Sequence, residues 1–147
     1  MTVPDEGSSV PVPASHLDLL LGRAHGVLTT IAPDGQPRSS LVWVDHDGEC
    51  ACVNTTLERH KGRRLTSNPK VSLLVADTAD TGRYIQLRGD AELVTDGALE
   101  HLDELTRRYT DHPRYYGHVF PVEEQARETR VICRIHARRI SLDAIHA

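Results

Sequence analysis

Apolar and polar positions alternate with period two over residues 27–32, where Val27, Thr29 and Ile31 interleave with Leu28, Thr30 and Ala32. That is the pattern of a half-buried β-strand. In the Pro33-Asp34-Gly35 stretch that follows, proline presets φ for a turn and glycine accepts positive φ. The chain is therefore predicted to reverse into a second strand through Leu41 and Trp43 to Asp45. His46-Asp47-Gly48 turns it again, and Ala51 to Asn54 return as the third strand of a meander. Residues 70–77 and 83–95 read as a fourth and a fifth strand, and Gly89 inside the latter predicts a bulge where a sheet turns a corner. A sixth begins at Arg130, where Val131, Cys133 and Ile135 alternate with Arg130, Arg134 and His136.

Helical spacing appears in three places. Leu17, Leu20, Leu21 and Ala24 recur on one face, with Ser15 as N-cap and Gly26 as stop. Residues 57–67 suit a second helix, ended by Asn68-Pro69 because the residue before proline avoids the helical region. In the third, Leu99, Leu102, Leu105 and Tyr109 share a face, Asp96 caps, and Arg107 and Arg108 fall late, complementing the macrodipole. Residues 111–128 are turn-rich and hold Tyr115, Tyr116 and Phe120. Residues 1–14, rich in Pro, Gly and Ser, are expected to form a flexible tail, leaving 15–147 as a single domain. Six strands in hairpin succession imply a mostly β, α+β fold with an antiparallel sheet closed into a small barrel that removes its edges.

Composition narrows the function. The chain has 147 residues, 39% hydrophobic and 26% charged, enough for one ordinary core. No apolar run approaches the roughly 20 residues that span a bilayer, and the first residues lack a signal-peptide core. A cytoplasmic protein that does not enter membranes is expected. Cys50, Cys52 and Cys133 read as reduced thiols, and neither they nor the nine scattered histidines show metal-ligand spacing, so no metal is expected. A net charge of −4 and 4% aromatic residues argue against nucleic acid.

Against that acidic background Arg59, Lys61, Arg63 and Arg64 crowd together, with His60 between them. Such a cluster is either a solvated helix face or an anion site. Arginine forks pair with phosphate or carboxylate, lysine adds a point charge, and a helix start adds unsatisfied N–H donors.

Four segments together resemble the split β-barrel family of flavin and deazaflavin oxidoreductases, which includes pyridoxamine 5′-phosphate oxidases and coenzyme F420-dependent enzymes. They are GVLTTIAPDGQPRSSLVWV, VNTTLERHKGRRLTSNPKVSLLV, RYIQLRGDAEL and RVICRIHARRISL. The resemblance implies an FMN-binding type of split barrel, and an enzyme that passes hydride from reduced coenzyme F420 to an electron-poor small molecule. The alternatives are an FMN-dependent oxidase, or a non-catalytic barrel that binds flavin or haem.

The resemblance also implies that Arg59, Lys61, Arg63 and Arg64 grip the phosphate and acidic tail, with Arg64 standing where many relatives carry Asn. Ser39, Ser40, Asn54, Thr55, Tyr84 and Gln86 would approach the phosphate, ribityl or ring portions. Trp43 is assigned to the core. No catalytic residue is assigned, and Tyr84, Tyr115, His118 and solvent are equal candidates for a proton donor. A homodimer with the cofactor between subunits is likewise implied by the family alone.

Overall fold

In a computed structural model, residues 9–146 are described. Seven strands form one antiparallel sheet: β1 (Gly26–Ile31), β2 (Pro37–Val42), β3 (Asp45–His46), β4 (Ala51–Thr56), β5 (Lys70–Ala76), β6 (Tyr84–Val94) and β7 (Arg130–Leu142). Their order across the sheet is β2-β1-β5-β6-β7-β4-β3. The two edge strands, β2 and β3, are therefore neighbours in sequence, joined only by Trp43 and Val44. Three residue steps reach at most about 11 Å, so the sheet must curl until its edges nearly meet. The expected antiparallel split barrel is present, with a seventh, two-residue strand beyond the expected six.

The corner that closes the barrel leaves Val44 outside the strand ladders, and buried backbone groups there need other partners. Helix α2 (Ala98–Tyr109) supplies them. The Tyr109 hydroxyl accepts from the Val44 N–H at 3.0 Å and donates to the Ala24 carbonyl at 2.7 Å. Arg108 donates to the Val44 carbonyl at 2.9 Å. Burial raises the Tyr109 pKa, which keeps the phenol protonated and able to donate.

The interior follows the alternation. Leu28, Leu73, Val75, Ile85, Leu87 and Ile135 are fully or almost fully buried, and Leu65 of helix α1 (His60–Ser67) and Leu20 of a 3₁₀ turn at Leu17–Leu20 join the same core. The bulge at Gly89 is present as a register shift between Arg88 and Gly89. Along β7, Val131, Cys133 and Ile135 point inward as expected.

Several local expectations are corrected. Ser15 caps no α-helix; the segment is a four-residue 3₁₀ turn without a side-chain cap, and Gly26 opens β1 rather than stopping a helix. β4 does not complete a meander with β2. It pairs instead with β7, through the register Ala51↔Ile135 to Thr56↔Arg130, because the corner has already carried the chain to the opposite edge. Helix α1 starts at His60, later than Leu57. The residue at the N-cap of α2 is Gly97, not Asp96, and Leu99 turns outward at 38% exposure while Ala98 and Thr106 are buried beside Leu102 and Leu105.

Of the expected tail, residues 1–8 lie outside the described residues. Residues 9–14 do not hang free: the Val10 N–H donates to the Ala137 carbonyl at 2.8 Å and Val12 packs on the core. His16, fully buried, contacts Asp143 at 2.7 Å and ties this end of the chain to the end of β7.

Helix α1 lies close against the end of β4. A Cβ added at Gly62 would sit 1.9 Å from the Thr56 carbonyl oxygen, so only glycine permits this approach. Gly62→Ala is expected to lower unfolding free energy by about 1–3 kcal/mol, read as a reduced urea midpoint, with the β-sheet circular dichroism retained.

Candidate functional site

A cavity of about 430 Å³ opens between the closing corner, the end of β4, the start of β7 and α2, within the size range of small-molecule and cofactor sites. Its apolar wall includes Trp43, Leu102, Leu105 and Tyr115. Trp43 stacks on Tyr109 with ring centroids 5.4 Å apart and meets Tyr115 edge-on. Its polar wall holds Asn54, Thr55, Arg59, Lys61 and Arg130.

The cations differ in what already holds them. Arg59, exposed, pairs at 2.7 Å with Glu128 and lies over the Phe120 ring. Glu128 is itself 7% exposed, accepts from the Tyr116 hydroxyl at 2.6 Å and lies 3.5 Å from Arg130. Burial, together with Glu128, pushes the Tyr116 phenol up to about 12. Lys61 has no anionic partner among the described residues. Burial lowers its pKa, and the neighbouring Arg59, Arg64 and Arg130 lower it further. A half-buried ammonium surrounded by cations is stabilised by an incoming anion, which makes Lys61 the strongest electrostatic mark in the cavity.

Behind the cavity wall a relay holds Arg130. The Asn54 amide nitrogen donates to the Ala98 carbonyl at 2.8 Å and to His101 Nδ1 at 3.1 Å. Its oxygen accepts from Arg130 Nε at 2.9 Å. His101 Nε2 faces the Asp45 carboxylate at 3.2 Å. A carboxylate only accepts, so Nε2 carries the proton and Nδ1 accepts from Asn54. Burial would raise the Asp45 carboxyl, but hydrogen bonds from His101 and Arg108 bring it down to about 2.

The structure sorts the sequence-predicted site residues into three groups. Asn54, Thr55, Arg59 and Lys61 meet in the cavity, although the Asn54 amide is committed to the relay. Arg63 and Arg64 face a second hollow with Arg38, His60 and Ser67, and Arg64 Nε donates to the buried Thr30 hydroxyl at 2.7 Å. Ser39, Tyr84 and Gln86 lie outside the cavity: Ser39 bonds Thr29, and Gln86 donates to Ser72. Ser40 Oγ is buried without a partner among the described residues.

Trp43, assigned to the core on sequence, instead lines the cavity, as do Arg130 and His25, which sequence reasoning did not place there. Trp43 reaches the cavity only because the corner redirects the chain, and Arg130 only through β4–β7 pairing; neither has a local signal. Of the proton-donor candidates, Tyr115 alone lines this cavity.

The comparisons agree with this architecture. The family model for pyridoxamine 5′-phosphate oxidase matches residues 12–142. A solved F420 reductase is 31% identical, with a TM-score of 0.74, covering 88% of this chain and 98% of that one. The conserved hypothetical protein Rv2991 of Mycobacterium tuberculosis is 27% identical, with a TM-score of 0.65 and coverage of 95% and 89%. General Stress Protein 26 of Bacillus anthracis str. Sterne, 22% identical with a TM-score of 0.63 and coverage of 88% and 91%, shares the fold. No curated protein matches. The fold and site define a split barrel of the flavin and deazaflavin oxidoreductase type. The chain belongs to the pyridoxamine 5′-phosphate oxidase family. Among the described residues no helix is long and apolar enough to cross a membrane.

The Asp45 relay generates a pH prediction. A carboxyl held at about 2 in the fold against 3.8 stabilises the protein above the unfolded value, and that contribution disappears as pH falls through the folded one. Asp45→Asn is expected to lose about 2 kcal/mol at pH 7. The gap from wild type should narrow between about pH 4 and pH 2 in urea melts, and a constant gap would sever Asp45 from this role.

Proposed function

We propose that the chain is a coenzyme F420-dependent oxidoreductase whose cofactor lies in the cavity beside Lys61. The observation that carries this reading is the half-buried Lys61 ammonium without an anionic partner among the described residues, facing a cavity walled by Trp43 and Tyr115. The residues fit the group. Lys61 suits a phosphate, with Arg130 held toward the same cavity and Arg59 beside it, while Trp43 and Tyr115 offer apolar surface to a flat ring. The likeness to a solved F420 reductase at 31% identity supports the deazaflavin over FMN, and so does Arg63, exposed on the second side of α1, where an acidic tail longer than a phosphate would find another cation.

When bound, the reduced deazaflavin supplies a hydride from C5 to an electron-poor small molecule such as an enone, imine or tetrapyrrole bridge. The protein's own part is to bind the anionic end, orient the ring and exclude water. Tyr115, which lines the cavity, would supply a proton to the reduced product in this reading.

The reading includes a homodimer. Leu41, which lines the cavity, is 71% exposed, and Leu74 on the same outer sheet face is 38% exposed. Ser39, Tyr84 and Gln86 belong to this outer face, so a second copy seated there would bring such residues toward the cavity rim.

Fluorescence titration of the purified chain with F420 and with FMN is expected to give a dissociation constant for F420 below about 100 μM, roughly −5.5 kcal/mol, and weaker binding of FMN. Lys61→Ala should weaken F420 binding by about 1.5–3 kcal/mol without lowering the melting temperature. Tighter binding of FMN would reassign the cofactor, and equal binding by Lys61→Ala would remove Lys61 from the site. Light scattering coupled to size exclusion is expected to show a dimer that Leu41→Asp converts to monomer and Leu41→Met leaves intact.

A further inference from the structure

A second constellation lies away from the cavity, at the turn between β3 and β4 and the middle of β7. Cys50 Sγ is 3.8 Å from His136 Nδ1, and Glu49 joins them so that one ligand atom from each lies within 4.8 Å of the others. Cys50 is 2% exposed and the His136 side chain 13%, while Glu49 is 70% exposed and held by a long 3.8 Å contact with Arg134. Cys50 and His136 stand 86 residues apart, which is why no ligand spacing is visible in the sequence. The cavity residues take no part in this cluster.

We propose that Cys50, His136 and Glu49 form a binding site for a borderline-soft divalent cation, Zn2+ above all.

The imidazole is already prepared for it. His136 Nε2 lies 2.8 Å from the Glu92 carboxylate. Since a carboxylate only accepts, Nε2 donates to Glu92, which leaves Nδ1 as the nitrogen that faces Cys50 and the Ser9 hydroxyl. A carboxylate behind a ligating histidine fixes its tautomer and raises its basicity in metal centres. Two tetrahedral ligands at about 2.0 and 2.3 Å from zinc stand roughly 3.5 Å apart, so the observed sulfur–nitrogen separation needs to shrink by only a few tenths of an ångström.

The surrounding charge favours a dication as well. Asp47, Glu49 and Glu92 gather around one guanidinium, that of Arg134, which contacts Asp47 at 2.7 Å, Glu92 at 2.9 Å and Glu49 at 3.8 Å. Three carboxylates against one guanidinium leave excess negative charge. Glu49, the longest of these contacts, can turn to the metal while Arg134 keeps its other two partners.

The mixed sulfur, nitrogen and oxygen donor set suits zinc better than the hard cations that take oxygen alone. Coordination displaces the Cys50 thiol proton. Three protein ligands leave a fourth position for water or for the Ser9 hydroxyl, which lies 3.1 Å from His136 Nδ1. A metal there would pin the N-terminal segment and the β3–β4 turn to β7.

The full chain, stripped with a chelator, is titrated with Co2+ and then with Zn2+ against a chromophoric competitor. The expected result is one equivalent per chain and a thiolate-to-cobalt absorption band. Cys50→Ser should abolish the band, while Cys52→Ser should retain it. His136→Gln should weaken Zn2+ binding by more than about 100-fold, beyond the 10–100-fold expected for Glu92→Gln as an outer partner. Metal-free melting curves check that the variants fold, and Glu92→Gln, which leaves all three ligands in place, supplies the graded result should Cys50→Ser not fold. Absence of stoichiometric binding, a cobalt band that survives Cys50→Ser, or equal Zn2+ affinity in wild type and His136→Gln would overturn the assignment.

Discussion

The rest of the structure depends on one covalent constraint: the two outermost strands of the sheet are separated by only Trp43 and Val44. A flat sheet of this strand order would place those edges many strand widths apart, at nearly 5 Å per strand, far beyond what the short link can bridge. Curling is thus imposed by chain connectivity before any side chain is considered. Packing then fills the enclosed volume with alternating apolar residues, and α2 repairs the backbone groups that the corner leaves unpaired. The position of the cavity follows, since Leu41, Val42 and Trp43 line it as the approach to that corner. Closure and site are two results of the same junction.

The electrostatics of the basic cluster show why counting charges is a poor guide to a site. Four cations close in sequence are distributed by a helical period onto different sides of α1, and each meets a different environment. Arg59 is offset by Glu128, and Arg64 is held by Thr30 while Arg63 remains near the surface. Lys61 is drawn toward low dielectric with neither a countercharge nor a hydrogen-bond partner among the described residues, and burial and its cationic neighbours lower its pKa. An anion entering the cavity would gain most there, because it would meet an ammonium that the fold has already partly desolvated and crowded with other cations. Arg64, conspicuous in the sequence as an extra cation, is in large part a packing residue whose guanidinium secures a buried threonine.

Much of the fold is legible from local chemistry. The turn at Pro33-Asp34-Gly35 is dictated by two residues with restricted or unusual φ, and the β7 alternation by burial on one face alone; both need no knowledge of the partner strand. Gly89 is legible for a similar reason, since a residue without Cβ inside a long strand leaves few explanations. Pairing is not legible in this way. Ala51 to Thr56 have the same strand character whether they lie beside β2 or β7, and only the corner decides. Helix ends are less legible where a polar residue competes with a neighbour: Asp96 is a cap by type, but Gly97 takes the capping position. The candidate site divides along the same line. Asn54, Thr55, Arg59 and Lys61 come from one contiguous stretch and are legible together, whereas Trp43 and Arg130 join them only through tertiary geometry.

The ladder between β4 and β7 also governs how the protein reaches this state. The β1–β2 and β5–β6 pairs connect residues close in sequence, and such hairpins form on the microsecond scale. Ala51 must find Ile135, a search across more than half the chain that carries a loop-closure entropy cost before any contact repays it. Asn54 and Arg130 lie on that ladder. During synthesis, therefore, the first hairpins can assemble on the emerging chain, while the cavity waits for the last strand to be released. A nascent chain arrested before β7 would present a half-curled sheet with an unpaired β6 edge, a form exposed to mispairing and to quality control before it possesses any binding site at all.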